Sequence, residues 1–151
     1  MIRRFTLDDA VKCKEIVKAC FDKSVSLAGL IKSFNLNEAV SGLIKKLIQF
    51  KSRLDYKVNR HLLFVYEKAG EVLGMIGLKD NLLKRLYVDP DYQRNGVGRE
   101  LLAYAEQQAV NNGFKELVLY SYENSLRFYR RNGYEVIKPH AYTTKMRKII
   151  T

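Results

Sequence analysis

The amino-acid sequence predicts an α/β domain whose sheet contains both antiparallel and parallel strand pairs. Two β-rich runs, His61–Lys68 and Glu71–Leu78, are separated only by Ala69-Gly70, which is typical of a β-hairpin and therefore of antiparallel strands. A third strand, Leu82–Val88, is followed by a helix and then by a fourth strand, Glu116–Ser121. Because a helix crosses between these two strands, we expect them to be parallel.

The composition is that of a globular protein. The chain has 151 residues, of which 47% are hydrophobic and 28% are charged, and this length predicts one domain over residues 1–151. No apolar run approaches the roughly 18 residues of a membrane span, and the first residues contain no apolar signal segment. The cytoplasm is therefore the expected location, with no membrane partner. Cys13 and Cys20 lie on one face of a predicted helix and fit the core better than a disulfide or a metal site.

The formal net charge of +11 could attract a nucleic acid, a polyanionic coenzyme or an acidic partner. The basic residues are spread through every segment, however, and their excess is concentrated in residues 1–60. A solvated basic surface is the plainest interpretation, and nucleic acid is not the expected partner. The same charge should disfavour polycationic ligands such as polyamines.

Capping signals and hydrophobic periodicity place the remaining elements. Thr6 and Asp9 resemble a capping box in which aspartate replaces the usual glutamate, and they open the first helix. Gly113 and Gly133 suit the left-handed residue that ends a helix. The predicted elements are a strand at Ile2–Phe5, a helix to about Phe21, a short helix or loop over residues 24–36, a helix over Asn37–Phe50, a helix from the glycine turn to Asn111, a short helix at Asn124–Asn132, and an antiparallel pair at Tyr134–Ile137 and Thr143–Ile150 around Pro139.

The strand Leu82–Val88 breaks the two-residue period of a regular β-strand. Leu86 and Val88 share one face, whereas Leu83 falls on the other, so the phase shifts by one residue near Lys84-Arg85. An ordinary strand with two apolar faces explains this pattern.

The same strand ends in a turn that predicts an anion site. After Asp89-Pro90 comes a polar stretch and then Arg94-Asn95-Gly96-Val97-Gly98-Arg99 at the start of a helix. The unpaired N–H groups of a first helical turn attract an anion, and the helix dipole adds to this attraction. Glycines at 96 and 98 carry no Cβ atom that would keep a phosphate away. The turn matches neither the Rossmann nor the Walker pattern, and it predicts a site for a pyrophosphate or a similar anion.

Three motifs, found in the expected order, resemble those of the GNAT N-acetyltransferase family. QRNGVG fits the coenzyme A signature Q/R-x-x-G-x-G/A, VDPDY precedes it, and FYRRNGYE is similar to the family's F-Y-x-x-x-G-[FY] helix end. The resemblance covers roughly residues 60–140. It implies a mixed, mostly antiparallel sheet of six to seven strands with helices on both faces and a parallel pair splayed at the coenzyme site. It also implies transfer of an acetyl group from acetyl-CoA to a primary amine of a small molecule or a peptide, with residues 37–50 in the acceptor wall.

The resemblance assigns main-chain groups to the coenzyme. It implies a β-bulge near Lys84-Arg85, which would also explain the phase break and would free main-chain groups of the strand. Leu86 and Val88, with Tyr87 between them, would then bind the pantetheine arm like an added strand, and the Val88 amide would stabilise the oxyanion. The pyrophosphate would bind the amides of residues in the turn, namely Arg94, Asn95, Gly96, Val97, Gly98 and Arg99.

The resemblance implies a catalytic role for Tyr129, but the sequence departs from the family pattern seven residues earlier, at Tyr122. Tyr129 aligns with the family tyrosine that protonates the departing thiolate, although an aromatic residue packed on the sheet is the alternative. The coenzyme-contacting asparagine expected seven residues earlier is Tyr122, and Asn124 either replaces it or caps the helix.

No general base is evident in the sequence. The glutamate that some members carry on the preceding strand aligns with Leu117, and Glu123, Tyr87, His61 or a water chain remain open alternatives. The missing groups favour a second hypothesis, a coenzyme A-binding regulatory module with weak catalysis. No metal is expected, and the sequence leaves open whether two copies form a homodimer.

Overall fold

A computed structural model of the chain describes residues 1–24, 62–140 and 142–151, and the side chains of residues 21–24 are outside this description. The predicted helix Asn37–Phe50, most of the segment 24–36 and His61 lie outside the described residues. Where the structure describes the chain, it contains one seven-stranded sheet and three α-helices. The strands are β1 (Ile2–Arg4), β2 (Leu62–Lys68), β3 (Glu71–Lys79), β4 (Leu82–Val88), β5 (Glu116–Ser121), β6 (Glu135–His140) and β7 (Thr143–Ile149), and the helices are α1 (Ala10–Ser24), α2 (Val97–Asn111) and α3 (Glu123–Arg131).

The sheet is antiparallel except at its centre. Its strand order is β1-β2-β3-β4-β5-β7-β6, and β4 with β5 forms the parallel pair that the crossover helix predicted. These two strands pair only at Leu82 and Val118, where the Val118 N–H also donates to the Asn81 carbonyl at 2.9 Å. Beyond that point the described strands form no further pair, so they diverge toward their carboxyl ends. The predicted mixed sheet with a splayed parallel pair is confirmed.

A β-bulge lies in β4 at the predicted phase break. On β3, Met75 faces Tyr87 and Gly77 faces Lys84, so one β3 residue stands opposite two β4 residues, Arg85 and Leu86. Arg85 adopts a left-handed φ of 59°. The extra residue restores the phase of the strand, because the apolar side chains on both sides of the bulge then pack in the same core.

The two faces of the sheet carry different helices. Helices α2 and α3 cover one face, where Leu101, Tyr129 and Met146 belong to a single buried cluster. Val97, Leu101, Ala105 and Ala109 recur every four residues along α2, the spacing that predicts a helix with one apolar face, and all four are buried. Helix α1 packs on the opposite face, where Ile16 joins Val65 of β2 in a second cluster.

The first helix is preceded by the predicted capping box. The Thr6 N–H donates to Asp9 Oδ2 at 2.8 Å, and residues Leu7–Asp9 form a 3-10 turn, so α1 begins only at Ala10. Asp9 is buried and also accepts two 2.8 Å hydrogen bonds from the Arg3 guanidinium. This ion pair lowers the pKa of Asp9, and it ties β1 to the start of α1.

The helix ends agree with the sequence predictions, whereas the strand at Pro139 differs from them. Gly113 and Gly133 end α2 and α3 with φ values of 82° and 85°, as predicted. Strand β6 continues through Pro139 rather than breaking around it. Proline is tolerated there because β6 is an edge strand, where one side of the backbone needs no partner. No helix in the described ranges is both long and apolar enough to cross a membrane.

Candidate active site

The divergence of β4 from β5 opens a cavity of about 420 Å³ in the middle of the sheet. It is lined from β4, β5, the start of α3 and the end of α1. The lining residues are Cys20, Arg85, Leu86, Tyr87, Val88, Gln93, Tyr120, Ser121, Tyr122, Asn124, Ser125 and Tyr129. The structure therefore brings together the predicted residues of the pantetheine site, Asn124 and the predicted catalytic tyrosine.

The end of β4 is held by two side chains that are not among the predicted site residues. Gln93 Nε2 and Cys20 Sγ each donate to the Val88 carbonyl at 3.1 Å. Gln93 is the first residue of the QRNGVG signature, so its position was visible in the sequence although its contact was not. The contact of Cys20 depends on how α1 lies across the sheet, and no local sequence pattern predicts that orientation.

The glycine turn leaves main-chain donors free at the start of α2. In the described part of the chain, the N–H groups of residues 94–98 donate to no acceptor. Such a group of unpaired donors at a helix start is a site for an anion. The Arg99 N–H donates to the Gly96 carbonyl at 2.9 Å, so it is not among these free donors. A contact between the Arg99 amide and the anion stays a prediction.

The two glycines of the turn serve different purposes. Gly96 is the N-cap of α2 with φ 87°, a conformation that residues with a Cβ atom rarely adopt. A Cβ atom at Gly98 would lie 3.5 Å from the Phe128 ring and 3.6 Å from Val88, which is ordinary van der Waals contact. The fold therefore requires a glycine at 96, whereas at 98 it leaves space that a ligand can approach.

Tyr129 is both a packed aromatic residue and a part of the cavity wall. Its side chain is 8% exposed, and its ring makes edge-to-face contacts with those of Phe128 and Tyr134, with centroids 5.2 and 5.7 Å away. The residue also lines the cavity. Burial, with a smaller effect of Tyr87, raises the pKa of the hydroxyl above its usual range, so it stays protonated at neutral pH. A protonated hydroxyl in the cavity is suited to donate a proton.

The interpretation of Asn124 as a helix cap is wrong. The N-cap of α3 is Tyr122, whose side chain makes no capping hydrogen bond, and Asn124 lies inside the first turn. Its Oδ1 accepts a hydrogen bond from Ser125 Oγ at 3.2 Å. Since both Asn124 and Tyr122 line the cavity, a contact with the coenzyme stays a prediction for Asn124.

Residues 32–149 match the family model of the acetyltransferase (GNAT) domain. The chain belongs to the GNAT acetyltransferase family. The match covers β2 to β7 and includes the turn, the cavity strands and Tyr129. No curated protein matches the chain.

Solved structures share the fold of this GNAT protein over its whole length. PaiA N-acetyltransferase from Thermoplasma acidophilum, in complex with coenzyme A, is 23% identical with a TM-score of 0.73 over 99% of this chain and 98% of that one. A GNAT acetyltransferase from Staphylococcus aureus Mu50 is 16% identical with a TM-score of 0.71 over 100% and 99%. An aminoglycoside 6'-N-acetyltransferase with coenzyme A is 14% identical with a TM-score of 0.63 over 100% and 97%. At these identities the likeness shows the fold alone.

The cavity of this GNAT protein offers few candidates for a general base. Among the described residues that line it there is no carboxylate and no histidine. Glu123 instead lines a separate groove on the outer side of α3 with three arginines, and Leu117 is fully buried. Tyr87 does line the cavity, and burial raises its pKa. The described residues also contain no cluster that could hold a metal ion.

Proposed function

We propose that this GNAT protein is an acetyl-CoA-dependent N-acetyltransferase that acts on a primary amine of a small molecule or a peptide. The observation that supports it best is the cavity between the splayed strands, which the buried Tyr129 lines and which lies at the end of β4 just before the turn with free N–H groups. The pantetheine arm would lie along β4 beside Leu86 and Val88. The pyrophosphate would bind the N–H groups of residues 94–98.

Each group then has a defined part in the transfer. The amine attacks the thioester carbonyl, and the Val88 amide stabilises the negative charge that develops on the carbonyl oxygen. The carbon–sulfur bond breaks, and Tyr129 gives its proton to the departing thiolate. The attacking amine loses its extra proton to water or to a base, and the products are the N-acetylated amine and coenzyme A.

A second candidate function is supported by two specific observations. Tyr122 stands where the family's coenzyme-contacting asparagine is expected, and the described cavity residues include no carboxylate or histidine base. A coenzyme A-binding module that catalyses transfer only weakly fits both.

One experiment separates the two functions. The protein is incubated with acetyl-CoA and a panel of primary amines, while thiol release and the acetylated product are followed. Release that depends on an amine supports the enzyme. A rise in melting temperature with acetyl-CoA, but without amine-dependent release, supports the binding module. If acetyl-CoA causes neither effect, both functions are wrong.

A further inference from the structure

Arg85 is the one charged side chain among the described residues that line the cavity. We propose that it binds an anionic group, in the first place a carboxylate, on the amine that accepts the acetyl group. This inference rests on the proposed function and names the class of acceptor: a primary amine that also carries a negative charge.

The conformation of Arg85 is uncommon. It occupies the β4 bulge with φ 59°, a region that residues with a Cβ atom visit rarely. Such conformations persist when the surrounding structure imposes them, and they concentrate at functional sites. The bulge directs the strand so that Arg85, Leu86 and Tyr87 all line the cavity. Burial raises the pKa of Tyr87, and the positive charge of Arg85 has the opposite effect on it. Arg85 therefore influences another side chain of the cavity.

Among the described residues, the guanidinium of Arg85 has no counter-charge. Among the other half-buried cations of the described residues, Arg3, Lys12 and Lys148 pair with carboxylates at 2.6–2.9 Å, whereas Lys79 and Lys145 form no ion pair. The Arg85 side chain is half-buried, but within the described part of the chain it forms no ion pair and no hydrogen bond. A cation partly removed from water gains from an anion beside it. The planar fork of arginine suits a carboxylate in particular, because two parallel hydrogen bonds can form.

The phosphates of the coenzyme lie too far away to be this anion. The turn that would hold the pyrophosphate follows the carboxyl end of β4, whereas Arg85 precedes Val88 by three residues, about 10 Å along a strand. Neither the acetyl group nor the pantetheine arm carries a charge. The anion must therefore belong to the acceptor or to a longer acyl group that itself ends in a carboxylate.

The surface beside the cavity favours the acceptor. Tyr120 and Val118 of β5 lie on the face opposite α2 and α3, because Leu119 between them is buried in the helix-covered core. Their partners across the ladder are Lys145 and Arg147 of β7. Since Tyr120 also lines the cavity, Lys145 stands on the sheet face next to its opening, whereas Arg147 lies nearer the paired end of the strands and faces Glu135 of β6. The charge of Lys145 would attract an amine that carries a carboxylate.

The test compares kcat/KM of the wild type and the Arg85→Gln variant for matched pairs of amines. Glycine, β-alanine and 4-aminobutyrate are each compared with the amide of the same length, with acetyl-CoA as donor. The ratio of kcat/KM between wild type and variant cancels the intrinsic reactivity of each amine. Charge-assisted hydrogen bonds of this kind predict a loss of about 10- to 100-fold for at least one amino acid, with its amide changed less than twofold.

Three further variants sharpen the result. Lys84→Gln removes the same charge from the exposed neighbouring residue and should leave both amines unchanged. Arg85→Lys should retain part of the preference, because it keeps the charge but loses the fork. Arg85→Glu should reverse the preference in favour of a diamine such as 1,3-diaminopropane. An equal effect of Arg85→Gln on amino acids and amides would overturn the proposal.

Two controls separate the possible failures. Succinyl-CoA is compared with acetyl-CoA: if Arg85→Gln affects only the use of succinyl-CoA, the anion belongs to the acyl donor and the assignment to the acceptor is wrong. Binding of the same amino acids to protein saturated with coenzyme A is measured by calorimetry, which requires no turnover. If no amine is acetylated, the proposed function fails. Binding that is lost in Arg85→Gln would still support the anion site, and absence of binding in the wild type would contradict it.

Discussion

Replacing Gly98 by aspartate tests whether the turn before α2 holds the pyrophosphate. The wild type at an acetyl-CoA concentration 100 times the Kd should gain about 2.7 kcal/mol of stability. For a protein of this size, each kcal/mol raises the melting temperature by about 2–4 °C, so the expected shift is about 5–11 °C. The aspartate places a negative charge beside the anion. If this weakens binding 100-fold, the remaining stabilisation is about 0.4 kcal/mol, or about 1 °C.

The structure explains why Gly98 is the better of the two glycines for this experiment. A Cβ atom there meets only ordinary contacts with Phe128 and Val88, so the fold should accommodate the new side chain. A carboxylate near the start of a helix also favours the helix dipole, so the free protein should not lose stability. Gly96 is a poor probe because its φ of 87° makes every substitution strain the backbone.

The assay is thermal unfolding with increasing acetyl-CoA for wild type, Gly98→Asp and Gly98→Ala. Alanine is the matched control, because it adds the Cβ atom without the charge and should keep a larger part of the shift. If Gly98→Asp keeps the full shift of the wild type, the pyrophosphate binds elsewhere and the interpretation of the turn is refuted.

Three further predictions concern catalysis, acid stability and the core. Tyr129→Phe should lower kcat on the order of 10² or more while the melting shift with acetyl-CoA stays, since only the proton donor is lost. The Arg3–Asp9 pair should stabilise the fold fully above the usual aspartate pKa of about 3.9 and lose its effect as the pH falls through the lowered value. The wild type should therefore lose more unfolding free energy than Asp9→Asn between pH 5 and pH 3 in urea titrations. Leu101→Ala removes a side chain that is fully buried and should cost about 3–5 kcal/mol in the same titrations.

Each of these predictions can fail in a recognisable way. An unchanged kcat in Tyr129→Phe would leave that residue as packing only. Equal pH dependence of the wild type and Asp9→Asn would show that the ion pair contributes nothing to acid stability. A loss below about 1 kcal/mol in Leu101→Ala would contradict its central place in the core, because collapse of the site rarely recovers that much.

The sequence predicted those parts of the fold that local patterns control. The spacing of Val97, Leu101, Ala105 and Ala109 predicted the helix α2, and Gly96 and Gly113 predicted where it begins and ends. The phase break in β4 left open a strand with two apolar faces or a bulge, and the family resemblance favoured the bulge that the structure contains. Which residue would take the left-handed conformation could not be read from the pattern. Arg85 shows no local signal for it, since the neighbouring strand imposes that conformation.

The rest of the cavity depends on contacts between distant segments. The seven-residue spacing of Cys13 and Cys20 predicted that both lie in the core, and Cys13 is fully buried. Cys20 is half-buried and lines the cavity, because α1 continues far enough to cross the end of β4. The position of Tyr120 beside the cavity likewise follows from the angle between β4 and β5. Sequence periodicity gives the face of a residue on its own strand but not the distance between two strands.

A crystal structure of the protein with coenzyme A tests the central proposal most directly. The proposal predicts the pantetheine arm between β4 and β5, hydrogen-bonded to main-chain groups of Leu86 and Val88. It places the pyrophosphate on the N–H groups of residues 94–98 and the sulfur within hydrogen-bond reach of the Tyr129 hydroxyl. A coenzyme bound outside this cleft, or a sulfur far from Tyr129, would contradict the proposed site.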